Sequence, residues 1–241
     1  MGPLRVATFQ RRPCFDDVPG TLERLLADLR WCDARDVGLA VFPECYLQGY
    51  GRDPEVMARR AVSLDGAIVE AMLAMLESIR TSLVLGIVER RGAACYNTAI
   101  VIRQGRLLGR YAKAHPNEPA FEAGTDFPVF VTDGWRFGIN ICNDANYAGT
   151  ALRVSRQGAR LLCYPLNNML APATAERWRE RGLANLKQRA IETGCWVASS
   201  DVVGCSGNSI SHGLTCIVRA DGEVLARVPE HEEGVAVFGL D

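Results

Sequence analysis

The order in which strand-like and helix-like segments alternate is the feature that most limits how this chain can fold. Residues 4–10 alternate as a strand does, and residues 18–36 then place leucines at helical spacing. Further on, Arg103-Gln104-Gly105-Arg106 separates two strand-like runs as a hairpin turn does. Strand–helix units favour parallel strands and hairpins favour antiparallel ones. The sequence therefore predicts a layered α/β protein with a mixed sheet.

The same periodicities predict the remaining elements. Helices are expected over 65–80, 146–157 and 174–193, the last with Thr174 as its N-cap. Strands are expected over 39–42, 82–89, 94–102, 107–113, 137–141, 160–164, 196–200, 215–218, 224–227 and 235–238. A segment punctuated by Gly49, Gly51 and Pro54 and a polar stretch over 114–126 are interpreted as loops.

Composition narrows the class of protein. The 241 residues contain no linker-like stretch, so we expect one domain spanning 1–241. The formal charge of −1 comes without a long run of one sign, which argues against nucleic acid and anionic lipid as partners. No apolar stretch approaches the roughly 20 residues that cross a bilayer, and the N-terminus begins as a strand. These features predict a cytoplasmic protein with a small-molecule ligand.

The cysteines and histidines give little support for a metal or a disulfide. The nine cysteines are odd in number, form no CxxC pair and lie mostly in apolar runs, where a free cysteine behaves as a small hydrophobic residue. The three histidines are not spaced as metal ligands. We therefore expect reduced thiols and no metal site.

Three residues with catalytic chemistry stand just after strand-like runs: Glu44, Lys113 and Cys142. Backbone N–H groups close to a thiol at a strand-to-helix turn lower the pKa of the thiol. The N–H of Asn143 can face an oxyanion formed on a substrate. A carboxylate in an apolar cleft can act as a general base, and an ammonium can stabilise the oxyanion. For each residue taken alone, a structural or surface role is the competing interpretation.

Three segments around these residues carry a resemblance: Phe42-Pro43-Glu44, Tyr111-Ala112-Lys113-Ala114-His115 and Gly138-Ile139-Asn140-Ile141-Cys142-Asn143-Asp144. In order and spacing they resemble the signature segments of the nitrilase, or carbon-nitrogen hydrolase, superfamily. The resemblance implies an αββα sandwich that commonly pairs into a homodimer or higher homo-oligomer. It also implies a Glu44, Lys113 and Cys142 catalytic triad and no cofactor.

The resemblance further implies a second catalytic glutamate in the loop after Lys113. Glu118 is the first candidate and Glu122 its rival, because Phe121-Glu122-Ala123-Gly124 is similar to the aromatic-x-Gly stretch that follows this glutamate in the family. Asn168 and Tyr50 are candidates for substrate binding together with Asn143. A simple turn is the alternative for Asn168, and core packing is the alternative for Tyr50 and its neighbour Tyr46.

The residues after the nucleophile bear on the substrate. True nitrilases typically have Trp-Glu there, whereas this chain has Asn143-Asp144, so hydrolysis of a small amide through a thioester is expected. The triplet is similar to that of N-carbamoyl-D-amino-acid amidohydrolases, but Ala145 and Asn146 replace the two arginines expected to bind the substrate carboxylate. Nitriles and N-carbamoyl compounds stay as alternatives, as do a catalytically silent binding protein and a thiol redox protein that pairs Cys142 with Cys163.

Overall fold

The computed structural model describes residues 2–241, which form fourteen strands, five α-helices and one 3-10 helix. The strands are β1 (Leu4–Gln10), β2 (Leu39–Val41), β3 (Ser82–Arg91), β4 (Ala94–Arg103), β5 (Arg106–Ala112), β6 (Val129–Thr132), β7 (Trp135–Ile139), β8 (Leu161–Pro165), β9 (Trp196–Ser200), β10 (Gly204–Ser206), β11 (Ser209–Ser211), β12 (Cys216–Val218), β13 (Val224–Arg227) and β14 (Gly234–Leu240). The α-helices are α1 (Val18–Asp33), α2 (Pro54–Arg60), α3 (Ala67–Met75), α4 (Ala148–Ser155) and α5 (Pro172–Thr193), and the 3-10 helix is Cys142–Asn146.

Twelve of the strands form two six-stranded sheets. The first has the order β14-β1-β2-β3-β4-β5 and the second β13-β12-β9-β8-β7-β6. In each sheet three central strands are parallel, β1, β2 and β3 in the first and β7, β8 and β9 in the second. The outer strands pair antiparallel through hairpins such as β4–β5 and β12–β13. The predicted mixed pairing is therefore confirmed.

Three apolar layers hold the sheets and helices together. Val6, Val41 and Val84 of the first sheet face Ile139 and Leu161 of the second, and all five side chains are buried between the sheets. The opposite face of the first sheet packs on α1 and α3, and that of the second sheet packs on α4 and α5. This alternation of faces follows from the two-residue period of a strand. The layers form the αββα sandwich that the resemblance implied.

The element boundaries differ from the sequence prediction where local capping outweighs periodicity. The helix α2 lies in the segment expected to be a loop, because Asp53 accepts hydrogen bonds from the backbone N–H groups of Glu55 and Val56 and Pro54 starts the helix. The long helix α5 begins at Pro172 and not at Thr174, since a proline suits the first turn. The helix expected over 146–157 is shorter, because the 3-10 helix occupies the residues before it.

Two more differences concern shorter elements. The helix α3 covers Ala67–Met75 where 65–80 was expected, and its last expected turn is replaced by hydrogen-bonded turns before β3. The hairpin of β10 and β11 was not predicted, because its three-residue strands are too short to show a clear alternation.

The candidate catalytic residues follow strand ends that meet across the sandwich. Glu44 follows β2, and Lys113 follows β5, which runs in the same direction as β2 because β4 is antiparallel to both β3 and β5. Cys142 follows β7 in the second sheet. The backbone N–H of Glu44 donates to the carbonyl of Leu166, just beyond β8, at 3.1 Å. This bond joins the strand exits of the two sheets directly.

Within residues 2–241, no helix combines the length and the apolar composition that a bilayer crossing requires.

Gly86 of β3 supports the segment that carries Glu44. A Cβ atom placed on Gly86 lies 2.2 Å from the carbonyl oxygen of Pro43 and 2.5 Å from the backbone nitrogen of Cys45. Both contacts are to backbone, which cannot move aside as the end of a side chain can. Only glycine therefore lets the segment around Glu44 lie directly on β3.

We expect Gly86→Ala to displace this segment and to lower the free energy of unfolding by about 1–3 kcal/mol, the usual cost of overpacking. Urea denaturation measures the change. Gly239→Ala in β14 is the matched control, because nothing lies within 4 Å of its added Cβ. Equal midpoints for the two variants would contradict the proposed close contact.

Candidate active site

Lys113 lies at the centre of a buried group of charges. Its Nζ donates to Oε1 of Glu44 at 2.8 Å and to Oε1 of Glu118 at 2.9 Å. All three side chains are almost completely buried. The backbone N–H of Lys113 donates to the carbonyl of Asn97 in β4 at 2.8 Å, which fixes the start of the side chain. Two carboxylates thus share one ammonium out of contact with water.

Burial and mutual attraction set the pKa values of these groups in different directions. Burial raises the pKa of Glu44, and the attraction of Lys113 offsets this only in part. Burial alone lowers the pKa of Lys113, but the negative groups around it outweigh burial and raise it. For Glu118, the contacts with Lys113 and Tyr50 outweigh burial and lower the pKa. Glu44 is therefore the member of the group best suited to accept a proton and return it.

Glu44 has one occupied and one free carboxylate oxygen. Its Oε1 also accepts a hydrogen bond from Nδ2 of Asn97 at 2.6 Å, whereas its buried Oε2 has no hydrogen-bond partner among residues 2–241. An acceptor that is buried and unpaired is costly unless a ligand uses it. Sequence reasoning missed Asn97, although an asparagine inside the largely apolar strand β4 is a usable signal.

The loop after β5 brings Glu118, and not Glu122, into this group. The hydroxyl of Tyr50 and the backbone N–H of Asn117 donate to the Glu118 carboxylate. Glu122 is exposed, and only its backbone N–H bonds back to the protein, at Cys95. The geometry favours the first candidate for the second glutamate.

Cys142 stands at a sharp turn between β7 and the 3-10 helix. Its φ of 43° lies in the left-handed region, which a non-glycine residue adopts only when the surroundings impose it. The side chain reaches the wall of a cavity that Asn167 also lines. The first N–H groups of the 3-10 helix, that of Asn143 among them, have no acceptor within the helix.

The pKa of the Cys142 thiol differs from the sequence expectation. Burial raises it well above its ordinary value, and the charge of Glu44 raises it further. Lys113 and the N–H of Asn167 lower the pKa, which is the effect expected from the sequence. Their combined effect is smaller than that of burial and Glu44. A thiol with a raised pKa needs a base when it reacts.

Asp144 holds the nucleophile turn against the segment that carries Lys113. Its Oδ2 accepts from the hydroxyl of Tyr111 at 2.7 Å and from the N–H of Ile141 at 2.9 Å, and its Oδ1 accepts from the N–H of His115 at 2.9 Å. The side chain is fully buried. Sequence reasoning used Asp144 only as an indicator of substrate class, whereas the structure gives it a positioning role.

The cavity beside Cys142 has a volume of about 250 Å³ and suits a small molecule. Most of its walls consist of asparagines and apolar side chains. The lining residues are Tyr50, Arg52, Asn117, Glu118, Cys142, Asn143, Ala145, Asn146, Leu166, Asn167, Asn168, Leu170, Thr174, Trp178, Gly182, Asn185, Leu186 and Leu214. All three predicted substrate-binding residues, Tyr50, Asn143 and Asn168, are among them. Tyr46 is not, and its ring packs on Phe42 in the core.

One wall of the cavity is a chain of side-chain amides. Nδ2 of Asn185 donates to Asn146, Nδ2 of Asn146 donates to Asn143 at 2.8 Å, and Nδ2 of Asn143 donates to the carbonyl of His115 at 2.8 Å. The chain ties α5 to the nucleophile turn and gives this wall neutral hydrogen-bonding groups. No three His, Cys, Asp or Glu side chains of residues 2–241 come together as metal ligands.

Comparison with known proteins shows the family of the chain. The family model for carbon-nitrogen hydrolases matches residues 5–241. The chain belongs to the carbon-nitrogen hydrolase family. A hydrolase from the pqqF 5' region of Pseudomonas protegens is 31% identical over 230 residues, which are 92% of this chain and 78% of that relative.

Two further matches show the range of this carbon-nitrogen hydrolase's relatives. A bifunctional nitrilase/nitrile hydratase of Lupinus angustifolius is 28% identical over 224 residues, and the match covers 82% of this chain but only 61% of that relative's length. A crystal structure of an amidase from Nesterenkonia sp. has a TM-score of 0.85 at 21% identity, with 99% of this chain and 90% of that chain covered. The likeness to the amidase shows the shared fold.

Asp201 is a further residue of this hydrolase's site that sequence reasoning missed. It follows β9 and is fully buried, and it accepts hydrogen bonds from the N–H and the Nδ2 of Asn168 at 3.0 and 2.7 Å and from the N–H of Val202 at 2.8 Å. It thereby holds the segment that begins at Asn167, which lines the cavity with Cys142. Burial raises the pKa of Asp201 to about 6.

This pKa predicts a specific pH dependence of stability. Since the Asp201 pKa rises from its usual 3.8 to about 6 on folding, the folded state gains stability from the proton at low pH and loses it as the pH rises through 6. Between pH 4 and pH 7 the wild type should lose about 2 kcal/mol more unfolding free energy than Asp201→Asn.

Urea denaturation across this pH range measures the difference between the two proteins. Asp126→Asn, at an exposed position, is the control and should follow the wild type. Parallel curves for the wild type and Asp201→Asn would show that Asp201 does not titrate in this range.

Proposed function

We propose that this protein hydrolyses the C–N bond of a small linear amide and releases ammonia or an amine through a thioester on Cys142. The observation that carries the proposal is the buried Lys113, which bonds to both Glu44 and Glu118 beside a cysteine that opens onto a cavity. These are the groups that the reaction requires: a nucleophile, a base and an oxyanion stabiliser.

In the first half of the reaction, the free Oε2 of Glu44 takes the proton of the Cys142 thiol while the sulfur attacks the amide carbon. The raised pKa of the thiol makes this base necessary. The carbonyl electrons move to oxygen, and the ammonium of Lys113 and the N–H of Asn143 stabilise the resulting oxyanion. The two carboxylate partners of Lys113 support this proposal, because they hold its ammonium before the reaction begins.

In the second half, Glu44 returns the proton to the leaving nitrogen as the C–N bond breaks, which leaves a thioester on Cys142. Glu44 then takes a proton from water, the hydroxide attacks the thioester, and the thiolate leaves and regains the proton. The products are ammonia or an amine and a carboxylic acid. Glu118 holds Lys113 in place and can accept the substrate N–H, while Tyr50 fixes Glu118.

The choice of amides rests on the residues after the nucleophile. Asn143-Asp144 differs from the Trp-Glu typical of nitrilases. The lupin relative, named a nitrilase/nitrile hydratase, keeps nitriles as a second candidate substrate class. N-carbamoyl compounds are a third. The complete buried group of Glu44, Lys113 and Glu118 argues against a silent binding protein, because buried charges that no reaction uses are costly to retain.

We also propose a cytoplasmic homodimer. All nine cysteines are unpaired, which suits a reducing compartment. Tyr147, which precedes α4, and Ile191 of α5 leave apolar surface exposed on the outer helical layer, and a second copy can cover it. Sedimentation velocity measures the assembly state.

For Cys142→Ala we expect ammonia release from a responsive amide to fall at least about 10³-fold, because the nucleophile is lost. For Glu44→Gln we expect a fall of about 10² to 10⁴-fold, because the base is lost. A panel of small amides, N-carbamoyl compounds and nitriles, assayed for ammonia, identifies the substrate class.

Cys205→Ala is the matched control, since Cys205 is exposed and does not line the cavity. Turnover that survives in Cys142→Ala would refute the proposed reaction. Iodoacetamide alkylation compares the reactivity of Cys142 with that of buried Cys163. If Cys142 reacts no faster than Cys163 at any pH, with or without a substrate analogue, the silent binding protein is favoured.

A further inference from the structure

The side-chain amide of Asn168 is held in one orientation by Asp201. Its Nδ2 donates to Oδ2 of Asp201 at 2.7 Å, and the backbone N–H of Asn168 donates to Oδ1 at 3.0 Å. An ionised carboxylate has only acceptors, so it bonds to the nitrogen of an asparagine amide and repels the oxygen. The partner therefore decides which end of this amide points where.

Asp201 is itself held in place. Its Oδ1 also accepts from the N–H of Val202 at 2.8 Å, and its own N–H donates to Oγ1 of Thr215 at 2.9 Å. Asp201 and Thr215 are fully buried. Two backbone N–H groups thus occupy Oδ1, and Oδ2 is left for the amide of Asn168. The carboxylate cannot turn without breaking these bonds.

The oxygen of the Asn168 amide is free. No donor within residues 2–241 bonds to it, and Asn168 is only half-buried where it lines the cavity beside Cys142. Asn168 and Asp201 also line a second space of about 20 Å³, which holds no more than a water molecule. Since the amide nitrogen points to a buried carboxylate, the oxygen points away from it. A ligand in the larger cavity therefore meets an acceptor here.

The reacting end of the proposed substrate already has its partners. In the proposed reaction, Lys113 and Asn143 stabilise the oxygen of the amide and Glu118 accepts its N–H. The rest of the substrate is the acyl chain, which meets the wall formed by the segment after β8. Asn168 belongs to this wall together with the apolar side chain of Leu166. The free amide oxygen is thus available to the acyl chain.

We propose that Asp201 is a positioning residue that keeps the oxygen of Asn168 toward the cavity, and that the preferred substrates are small amides whose acyl chain carries a hydroxyl or another uncharged hydrogen-bond donor. This inference rests on the proposed amide hydrolysis. A chain whose polar group only accepts, such as a ketone, brings two acceptors together and leaves both unpaired. Asp201 takes no part in bond breaking and acts through Asn168.

Asp201→Asn tests this proposal because it should reverse the Asn168 amide. The N–H groups of Asn168 and Val202 require an oxygen at the place of Oδ1. The introduced NH₂ group must then take the place of Oδ2, where it faces Nδ2 of Asn168. Two donors repel each other, so the Asn168 amide exchanges its ends and turns its NH₂ group to the cavity. A wall that accepts a hydrogen bond becomes one that donates.

The assay compares three amides with the same number of non-hydrogen atoms: β-hydroxybutyramide, acetoacetamide and isovaleramide. The hydroxyl can donate, the ketone only accepts, and the methyl group does neither. The assay is made at about pH 8, where Asp201 is ionised because its pKa is about 6. The set with one more methylene, γ-hydroxyvaleramide, levulinamide and isocaproamide, covers a longer reach. The set that the wild type turns over faster is the one compared among variants.

In the wild type we expect kcat/KM for the hydroxyl compound to exceed that for the ketone by roughly fivefold or more, the effect of one hydrogen bond. In Asp201→Asn this ratio should fall to about one or below, through a higher KM for the hydroxyl compound and a lower KM for the ketone. The ratio is the quantity compared, because a general loss of activity affects both substrates alike.

The exchanged pair, Asn168→Asp together with Asp201→Asn, separates orientation from structural damage. Its carboxylate bonds through one oxygen to the introduced NH₂ group and turns the other oxygen to the cavity, so the preference for the hydroxyl compound should return. Damage to the fold would persist or grow in the double variant. Asp126→Asn is the matched control, because it removes an exposed carboxylate that does not line the cavity. It should keep the wild-type ratio.

Asn168→Ala provides a test that leaves Asp201 unchanged. It removes the acceptor from the cavity wall and should lower the ratio of the hydroxyl compound to the methyl compound to about one. Urea denaturation shows which variants are folded. If Asn168→Ala keeps the wild-type ratio, the proposal is overturned, even where Asp201→Asn does not fold.

Failure of this inference differs from failure of the proposed function. If the amides are hydrolysed through Cys142 and the ratio of hydroxyl compound to ketone is the same in the wild type and Asp201→Asn, the role of Asp201 is refuted and the hydrolase stands. If Cys142→Ala retains full turnover, the proposed reaction is refuted. Calorimetry then decides on Asp201: tighter binding of the hydroxyl compound to the wild type but not to Asp201→Asn supports its role, and equal binding overturns it.

Discussion

The packing of two sheets against each other is the constraint on which the candidate active site depends. Glu44 and Lys113 leave strands of the first sheet, whereas Cys142 leaves a strand of the second. Neither sheet contains a base and a nucleophile together. The hydrogen bond from Glu44 to Leu166 and the contacts of Asp144 with the Lys113 segment set the alignment. Close packing of the apolar layer between the sheets therefore also fixes the distances between the candidate catalytic residues.

The buried charges impose a second constraint, since each is stable only in the presence of the others. Removing a charged group from water costs several kcal/mol in a protein interior, and Lys113 is compensated by Glu44 and Glu118 together. Loss of one partner leaves an uncompensated charge. Asn97 and Tyr50 add neutral donors to the two carboxylates. The group is thus rigid before any substrate arrives, which is the condition for electrostatic stabilisation of a transition state.

Local patterns in the sequence predicted where the strands end, but they did not predict contacts between residues that are distant in the sequence. Strand exits placed Glu44, Lys113 and Cys142 correctly, because the alternation of apolar residues marks where a strand ends. Asn97 lies 53 residues from its partner Glu44, and no local pattern records such a pairing. The pKa of Cys142 was expected to fall because the turn supplies N–H groups, but burial, which sequence does not quantify, raises it. Asp201 was missed because its partner Asn168 lies 33 residues away in the sequence.

The surplus of carboxylates beside Cys142 has a consequence for how the cavity empties. In the proposed reaction a neutral amide becomes a carboxylic acid beside Cys142, and this acid becomes an anion when it passes its proton to water or to the released amine. That anion meets the two carboxylates of Glu44 and Glu118 against the single ammonium of Lys113, so repulsion exceeds attraction, while the released nitrogen is neutral or cationic and is not repelled. The chemical step itself weakens the retention of the acid, so turnover needs no moving lid to expel it.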